Sequence, residues 1–393
     1  LVPQIRFSGF TEDWEQRKVS ELCSISTGKS NTQDKVEDGE YPFYVRSPII
    51  ERSTKYLYDE EAVITVGDGV GTGKVFHYVN GKYDLHQRCY RMYGFSDELN
   101  AHYFYHTFSK LFYKRVMAMT AKTSVDSVRL EMISDMKIPV PNVEEQRKIG
   151  NLLDGIDHLI TLHQRKCEEM KTLKKYMLQK MFPQNGQLVP QIRFSGFTED
   201  WEQRKLGDVA DVTKLAGFEF TEHVVYSDEG NIIALRGLNI KNGQLILDDV
   251  KYIDGSNFSK LSRSKLFIDD IMFTYVGTVG EVAIIKENDR FYLAPNVSRI
   301  RVKSDDSPKF ISHYMRTDNF KNKIIFPLIA TSSQPALSME NIRKFTINIP
   351  INKEEQDCLA KYFDSLDHLI TLHQQKCDEL RNIKKFMLQN MFI

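Results

Sequence analysis

The sequence predicts a mixed α/β chain built as an internal duplication, with a variable domain in each half followed by one long helix. Three observations carry this. The stretch LVPQIRFSGFTEDWEQRK occupies residues 1–18 and recurs unchanged at 188–205, an offset of 187. A second block, DHLITLHQRKCEEMKTLKKYMLQKMF at 157–182, returns as DHLITLHQQKCDELRNIKKFMLQNMF at 367–392, an offset of 210. Between the blocks the halves diverge, and the second insert is 23 residues longer. One frame therefore carries two different inserts. Near-identical ends suggest one contact made twice, and divergent middles suggest two recognition tasks. A recent duplication whose ends were homogenised by recombination would give the same pattern.

The elements follow in chain order. Alternating or β-branched runs at 61–66, 244–247, 271–276 and 282–285, set between Gly, Asn and Asp turns, predict strands. Residues 101–119 and 308–325 predict helices with aromatic residues along one face, a pattern that fits core packing before base stacking. Residues 144–182 predict a long helix, roughly 57 Å at 1.5 Å per residue. Its apolar positions Ile149, Leu152, Ile156, Leu159, Met170, Leu173 and Met177 recur at spacings of three and four. Leu359, Tyr362, Leu366, Leu369, Leu380, Ile383 and Met387 repeat them in the second half. Each seam calls for a partner helix. His163 with Lys166, and His373 with Lys376, interrupt the seams at one register and read as a polar layer, with Cys167 and Cys377 as small core residues beside it.

Composition narrows the function classes. The 393 residues carry 53 Lys and Arg against 53 Asp and Glu, so a nucleic-acid surface would have to be a local patch. No apolar run reaches the roughly 18 residues of a membrane span, and the first residues contain no secretory pattern. Five cysteines without a C-x-x-C pair suit a reducing compartment, so the expected location is cytoplasmic.

Chemistry-bearing motifs are scarce. GDGVGTGK at 67–74 has Asp68 where a phosphate loop needs Gly and is followed by Val75 where it needs Ser or Thr, so a tight turn is the better account. No zinc-protease, nucleophile-elbow, EF-hand or kinase signature occurs, and the glycine-rich cofactor loop and Asn/Asp-Pro-Pro-aromatic motif of adenine methyltransferases are both absent. What remains is a set of polar and basic residues in loops, the residue types that read base edges. In the first insert these are Arg46, Ser47, Lys74, Gln87, Arg88, Lys122, Thr123 and Ser124. In the second they are Arg236, Asn239, Thr278, Asn296, Arg299, Ser332, Ser333 and Gln334.

FSGFTEDWEQRK, the insert, an EEQ block (IPVPNVEEQ, then INIPINKEEQ) and the long helix, in that order in each half, together resemble the specificity subunit of type I restriction-modification systems across essentially the whole chain. LRGLNIKNGQL at 235–245, GTVGEV, LAPNVSRI at 293–300 and INIPINKEEQ at 347–356 fit the family's pattern in the second half. The first insert keeps Glu144, Glu145 and Gln146 but lacks an evident RGxNI segment. The resemblance implies twisted, mostly antiparallel sheets in two target recognition domains, 1–143 and 188–353. The long helices, 144–187 with its linker and 354–393, would then be an antiparallel coiled-coil spacer in a pseudo-twofold arrangement.

It also implies a chain without catalytic residues or metal. Two methyltransferase subunits would hold S-adenosylmethionine, and restriction subunits, when present, would hold ATP and Mg. The partners are double-stranded DNA and these subunits, with no membrane. Partner contacts are expected at Glu145, Gln146, Lys174, Lys175, Glu355, Gln356, Lys384 and Lys385. Trp14 and Trp201, with Phe7, Phe10, Phe194 and Phe197, are expected to anchor each domain to the frame. A duplicated coiled-coil scaffold that never reads DNA is the alternative, and a self-contained nuclease or methyltransferase the third reading.

Overall fold

The structure, a computed structural model, describes residues 2–69, 71–120, 127–184, 186–329 and 335–392. The chain divides into two compact units, residues 1–165 with 373–393, and residues 166–372.

The first unit opens with β1 (Glu15–Lys18) and the single turn α1 (Val19–Leu22). The strands β2 (Ser24–Thr27), β3 (Tyr41–Tyr44), β4 (Ile50–Ser53), β5 (Tyr58–Val66), β6 (Phe76–Leu85) and β7 (Cys89–Tyr93) follow. They form one sheet in the order β2-β7-β5-β6-β3-β4, antiparallel except where β3 runs parallel to β6. Both faces are covered at its centre, so Ala62–Val66 is buried continuously instead of alternately, and apolar but for Thr65. Helix α2 (Ala101–Met119) lies on one face. Asn100 caps it by accepting the Tyr103 N–H, and Phe104, Phe108 and Phe112 at i, i+4 spacing bury against Val63 and Phe76. After α3 (Leu130–Ser134), β8 (Lys137–Val140) pairs antiparallel with β1, Glu15 opposite Val140, and the chain enters α4 (Val143–Lys180).

In the second unit, β9 (Glu202–Lys205), α5 (Leu206–Val209) and β10 (Ala210–Lys214) repeat the entry. They are followed by α6 (Gly217–His223), β11 (Ile233–Leu235), β12 (Ile240–Lys241), β13 (Gln244–Leu245), β14 (Lys251–Tyr252), β15 (Ile271–Thr274), β16 (Val282–Ile284), β17 (Phe291–Leu293) and β18 (Val297–Val302). The insert forms two main sheets, β10-β18-β15-β16 and β14-β11-β17, with β11 parallel to β17. The helix expected at 308–325 is broken. Ser307 and Pro308 start α7 (Pro308–Met315), Thr317 caps the short α8 (Asp318–Phe320), and a π turn covers Lys321–Ile325. A side-chain cap inside the run restarts the helix, which the composition did not reveal. Then α9 (Met339–Arg343), β19 (Thr346–Ile349), antiparallel to β9, and α10 (Lys353–Asn390) complete the chain.

Both long helices have 38 residues, and each contributes residues to both units. In the first unit Lys384 reaches Asp157 at 2.6 Å, His163 and His373 bring their Nδ1 atoms to 2.9 Å, and the Cys377 thiol donates to the Ile160 carbonyl at 3.7 Å. In the second, the Cys167 thiol donates to the Ile370 carbonyl at 3.8 Å and Lys174 pairs with Asp367. Numbers rise on one helix as they fall on the other, so within each unit the segments are antiparallel. The contacts match pairwise at the 210-residue offset.

Two details differ from expectation. The inner stripe runs through Ile149, Leu153, Ile156 and Cys167, and through Leu359, Phe363, Leu366, Cys377 and Leu380, whereas Leu159, Leu369 and Ile383 are exposed. Leu159 lies three residues beyond Ile156, a turn of about 60° away from the seam. The polar layer consists of the two histidines, while Lys166 and Lys376 point outward and Lys376 pairs with Glu379 at 3.1 Å.

Candidate nucleic-acid interface

Residues that both halves share meet one another inside each unit. Glu145 is fully buried at the start of α4, and its carboxylate accepts from Arg6 Nε at 2.8 Å, Arg6 Nη2 at 2.9 Å and Trp14 Nε1 at 3.2 Å. Glu355, Arg193 and Trp201 repeat this at 2.6, 2.7 and 3.3 Å. The hydrogen bonds to Glu145 and Glu355 hold the Arg6 and Arg193 guanidiniums above their ordinary pKa. Gln146 donates to the Pro141 carbonyl at 2.7 Å, and Gln356 to the Pro350 carbonyl at 2.9 Å. The assignment of Glu145, Gln146, Glu355 and Gln356 to a partner surface is therefore corrected, because these side chains are buried and saturated by bonds within the chain. The two tryptophans lie buried against the frame, with Phe7 and Phe194 packed on the same cores and Phe10 and Phe197 half-buried.

Lys174 is likewise buried beside Asp367 and Arg316, and burial, then Arg316, pushes its amine down to about 8. Lys384 is committed to Asp157. Lys175 and Lys385 alone of the eight are exposed.

One end of the first unit's sheet gathers several of the sequence candidates. Arg46 follows β3, Gln87 and Arg88 lie between β6 and β7, and the 67–74 turn follows β5. Gly28 and Gly67 allow this crowding. A Cβ on Gly28 would stand 2.2 Å from the Leu85 carbonyl oxygen, and one on Gly67 would stand 2.5 Å from that of Arg88. The 67–74 loop is a turn with left-handed Gly69 and Gly73, and Thr72 Oγ1 donates to the Gly69 carbonyl at 2.5 Å. Asp68 holds Arg46 at 3.2 Å and Arg88 at 3.8 Å. Gln87 donates to Asn31 at 2.5 Å, and the His86 ring meets Thr32 at 3.2 Å. Burial, then Arg46, keeps His86 below the ordinary histidine value.

Asn31, Thr32, Gln33, Arg46, His86, Gln87 and Arg88 surround an open cleft of about 640 Å³. Arg46, Gln87, Arg88 and Lys74 are exposed, Ser47 is half-buried, and the Lys74 ammonium stands 5.0 Å over the Tyr113 ring. Sequence reading missed Asn31, Gln33 and Asp68, whose only signal was polarity. Lys122, Thr123 and Ser124 lie outside the described residues, but Val128 beyond them donates to the Gly67 carbonyl at 2.6 Å.

The second unit keeps only part of its candidate set at the corresponding end. Thr278 and Asn296 are exposed there, and Asn296 takes a left-handed φ of 71°. Arg236 is half-buried and paired with Asp249 at 2.8 Å. Two assignments are corrected. Asn239 is fully buried, donating to the carbonyls of Ile246 and Asp249 at 2.9 and 2.8 Å, so it builds the turn after β11. Arg299 sits in the middle of β18, tied to Asp211 at 2.7 Å and the Arg263 carbonyl at 3.0 Å, and is a strut of the sheet. Ser332, Ser333 and Gln334 lie outside the described residues.

A further pair escaped the sequence reading. His106 of α2 meets Asp154 of α4 at 2.7 Å, and His313 of α7 meets Asp364 of α10 at 2.9 Å. Both histidines are buried, and each ties a domain helix to a long helix. The second pair backs a cleft of about 630 Å³ that also includes Arg316, Asp367 and Gln244. Among the described residues no group of three or more His, Cys, Asp or Glu could hold a metal ion, and no helix is long and apolar enough to cross a membrane.

Comparison with known proteins adds a family. The model of the type I restriction modification DNA specificity domain matches residues 11–172 and again 198–382. The MjaVIII type I restriction enzyme specificity subunit of Methanocaldococcus jannaschii is 23% identical over 95% of this chain and 91% of its own length. The EcoKI specificity subunit of Escherichia coli K12 is 21% identical over 70% of this chain and 61% of its own length. The crystal structure of a type I restriction-modification S subunit from M. genitalium superposes with a TM-score of 0.71, at 14% identity, over 100% of this chain and 99% of that one.

Proposed function

Because this chain belongs to the type I restriction modification DNA specificity domain family, matched once in each half, we propose that it reads a bipartite DNA target, one half-site per unit. The observation that carries this reading is the repeat itself: one buried frame, down to the Trp14–Glu145–Arg6 and Trp201–Glu355–Arg193 clusters, presents two different polar surfaces at the ends of two sheets. In the first unit Arg46, Gln87 and Arg88 lie where base edges and phosphates would be met, with Ser47 and Lys74 beside them. In the second, Arg236, Thr278 and Asn296 take that place. Lys122–Ser124 and Ser332–Gln334 remain candidates on the flanking loops.

The chain supplies positioning, and the bond chemistry belongs to partners. Two adenine methyltransferase subunits holding S-adenosylmethionine would each act beside one half-site on a base flipped from the duplex. ATP- and Mg-dependent restriction subunits would join where the system cleaves. All would act in the cytoplasm, where the DNA is. For the methyltransferase contact we assign the exposed side of the long helices. The first unit exposes Leu159 and Leu162 on α4 with Ile383 and Phe386 on α10, and the second exposes Leu369 and Leu372 on α10 with Tyr176 on α4. Lys175 and Lys385 stand beside these residues in sequence. Matching apolar sets in both units suit two copies of one partner.

The deciding experiment is base-resolved adenine methylation of DNA from cells expressing the neighbouring methyltransferase with and without this chain. A bipartite methylated motif that vanishes without the chain is expected. Unchanged methylation, with partner expression verified, would favour the scaffold reading.

A further inference from the structure

The hydrogen-bond patterns of the two units put Arg88 and Asn296 at one structural position. In the first unit the His86 N–H donates to the Tyr44 carbonyl at 3.0 Å, the Gly67 N–H donates to the Arg88 carbonyl at 2.8 Å, and the Val128 N–H donates to the Gly67 carbonyl at 2.6 Å. In the second, the Ala294 N–H donates to the Leu235 carbonyl at 3.1 Å, the Tyr275 N–H to the Asn296 carbonyl at 3.1 Å, and the Leu337 N–H to the Tyr275 carbonyl at 2.9 Å. Each residue therefore sits just past the parallel strand pair, β3 with β6 or β11 with β17, and just before the strand, β7 or β18, that pairs antiparallel with β5 or β15. The backbone is common and the side chains are not.

Both side chains are exposed. Arg88 stands 3.8 Å from Asp68, which also holds Arg46, and its guanidinium stays exposed. Asn296 adopts a left-handed backbone at φ 71°, a conformation in which Asn is tolerated better than most residues, and its carboxamide makes no hydrogen bond among the described residues. With no partner among the described residues, the exposed carboxamide is available to a ligand.

Resting on the DNA-reading function proposed above, we infer that this position is a base-reading post in both units: Arg88 reads a guanine and Asn296 reads an adenine. The guanidinium offers two parallel donors, which match guanine O6 and N7. The carboxamide offers a donor and an acceptor, which match adenine N7 and its amino group. One backbone position then accounts for a base difference between the half-sites.

The test uses the chain co-expressed with its methyltransferase subunit in a host without adenine methylation, read at base resolution. The comparison is between the natural chain, Arg88→Ala, Arg88→Lys and Asn296→Ala, with melting curves and partner co-purification for each. Arg88→Ala should relax one guanine of one half-site by about 5- to 150-fold in discrimination and leave the other half-site unchanged. Arg88→Lys, which keeps the charge but loses the planar fork of donors, should retain overall methylation and relax that guanine less than Arg88→Ala does. Asn296→Ala should relax an adenine in the other half-site by a similar factor.

Unaltered motifs in folded variants would overturn the inference, as would a uniform fall in methylation across all sequences, the mark of a phosphate contact. Relaxation of a different base would overturn it too. If the natural chain directs no bipartite motif at all, the specificity reading fails and takes this inference with it.

Discussion

At the scale of single residues, burial separates groups that hold the frame from groups free to touch something else. Glu145 and Glu355 are the sharpest case, since each satisfies three donors in a buried pocket. Glu145→Ala should destabilise the first unit by about 3 kcal/mol, measured by urea unfolding, because Trp14 Nε1 and Arg6 lose a charged acceptor in a desolvated site. A variant of undiminished stability that failed to bind the methyltransferase would restore the partner-surface assignment.

His313 gives a pH dependence with a defined sign. Burial holds it below the usual histidine value, against the hydrogen bond to Asp364. Arg316 and Lys174 push the same way as burial, and Asp367 opposes them. Lys309, on the same helix α7, pairs with Asp364. The unfolded chain therefore takes up the proton at higher pH than the folded chain. The stability that neutral His313 confers is complete above about pH 6.5 and declines as the pH falls below it. Urea midpoints at pH 7.5 and 5.5 should show this decline, and His313→Asn should flatten it.

At the scale of elements, a long helix advertises its own existence but not which of its apolar residues are covered. Helix-forming composition and the lack of interior proline made α4 legible within two residues of its ends, and the 210-residue offset carried the same reading to α10. The exposure of Leu159 and Leu369 was not legible, because a stripe at spacings of three and four is wider than the seam two helices can fill. The paired histidines at 2.9 Å are a polar pair drawn into the first unit's seam. Replacing both by Leu should raise the thermal midpoint while loosening the register that a paired polar layer specifies. Calorimetry combined with cysteine crosslinking along the helices would check both halves of that expectation. The broken segment after α7 shows the same limit: caps at Ser307 and Thr317 are local, yet the restart they produce is set by packing of Tyr314 and Phe320.

At the scale of the whole molecule, the proposed bipartite reading makes the inserts separable readers, and the coiled-coil spacer that the resemblance implies would act as a ruler between half-sites. Exchanging residues 24–128 for the insert of a relative should change one half-site and leave the other intact. Adding one heptad to both long helices, about 10 Å at 1.5 Å per residue, should change the preferred spacing between half-sites. Methylated-motif mapping reads both outcomes, and an unaltered spacing would sink the ruler. The duplication, the long helices, the α/β character of the inserts and the family were all present in the sequence, because repeats and periodicity are properties of sequence order. The tertiary structure alone decided that Glu145, Gln146, Asn239 and Arg299 are interior struts, that Asp68 gathers Arg46 and Arg88, and that Arg88 and Asn296 share a position. Each of these depends on which distant segments desolvate a side chain or meet its backbone, and that information is absent from any local window of residues.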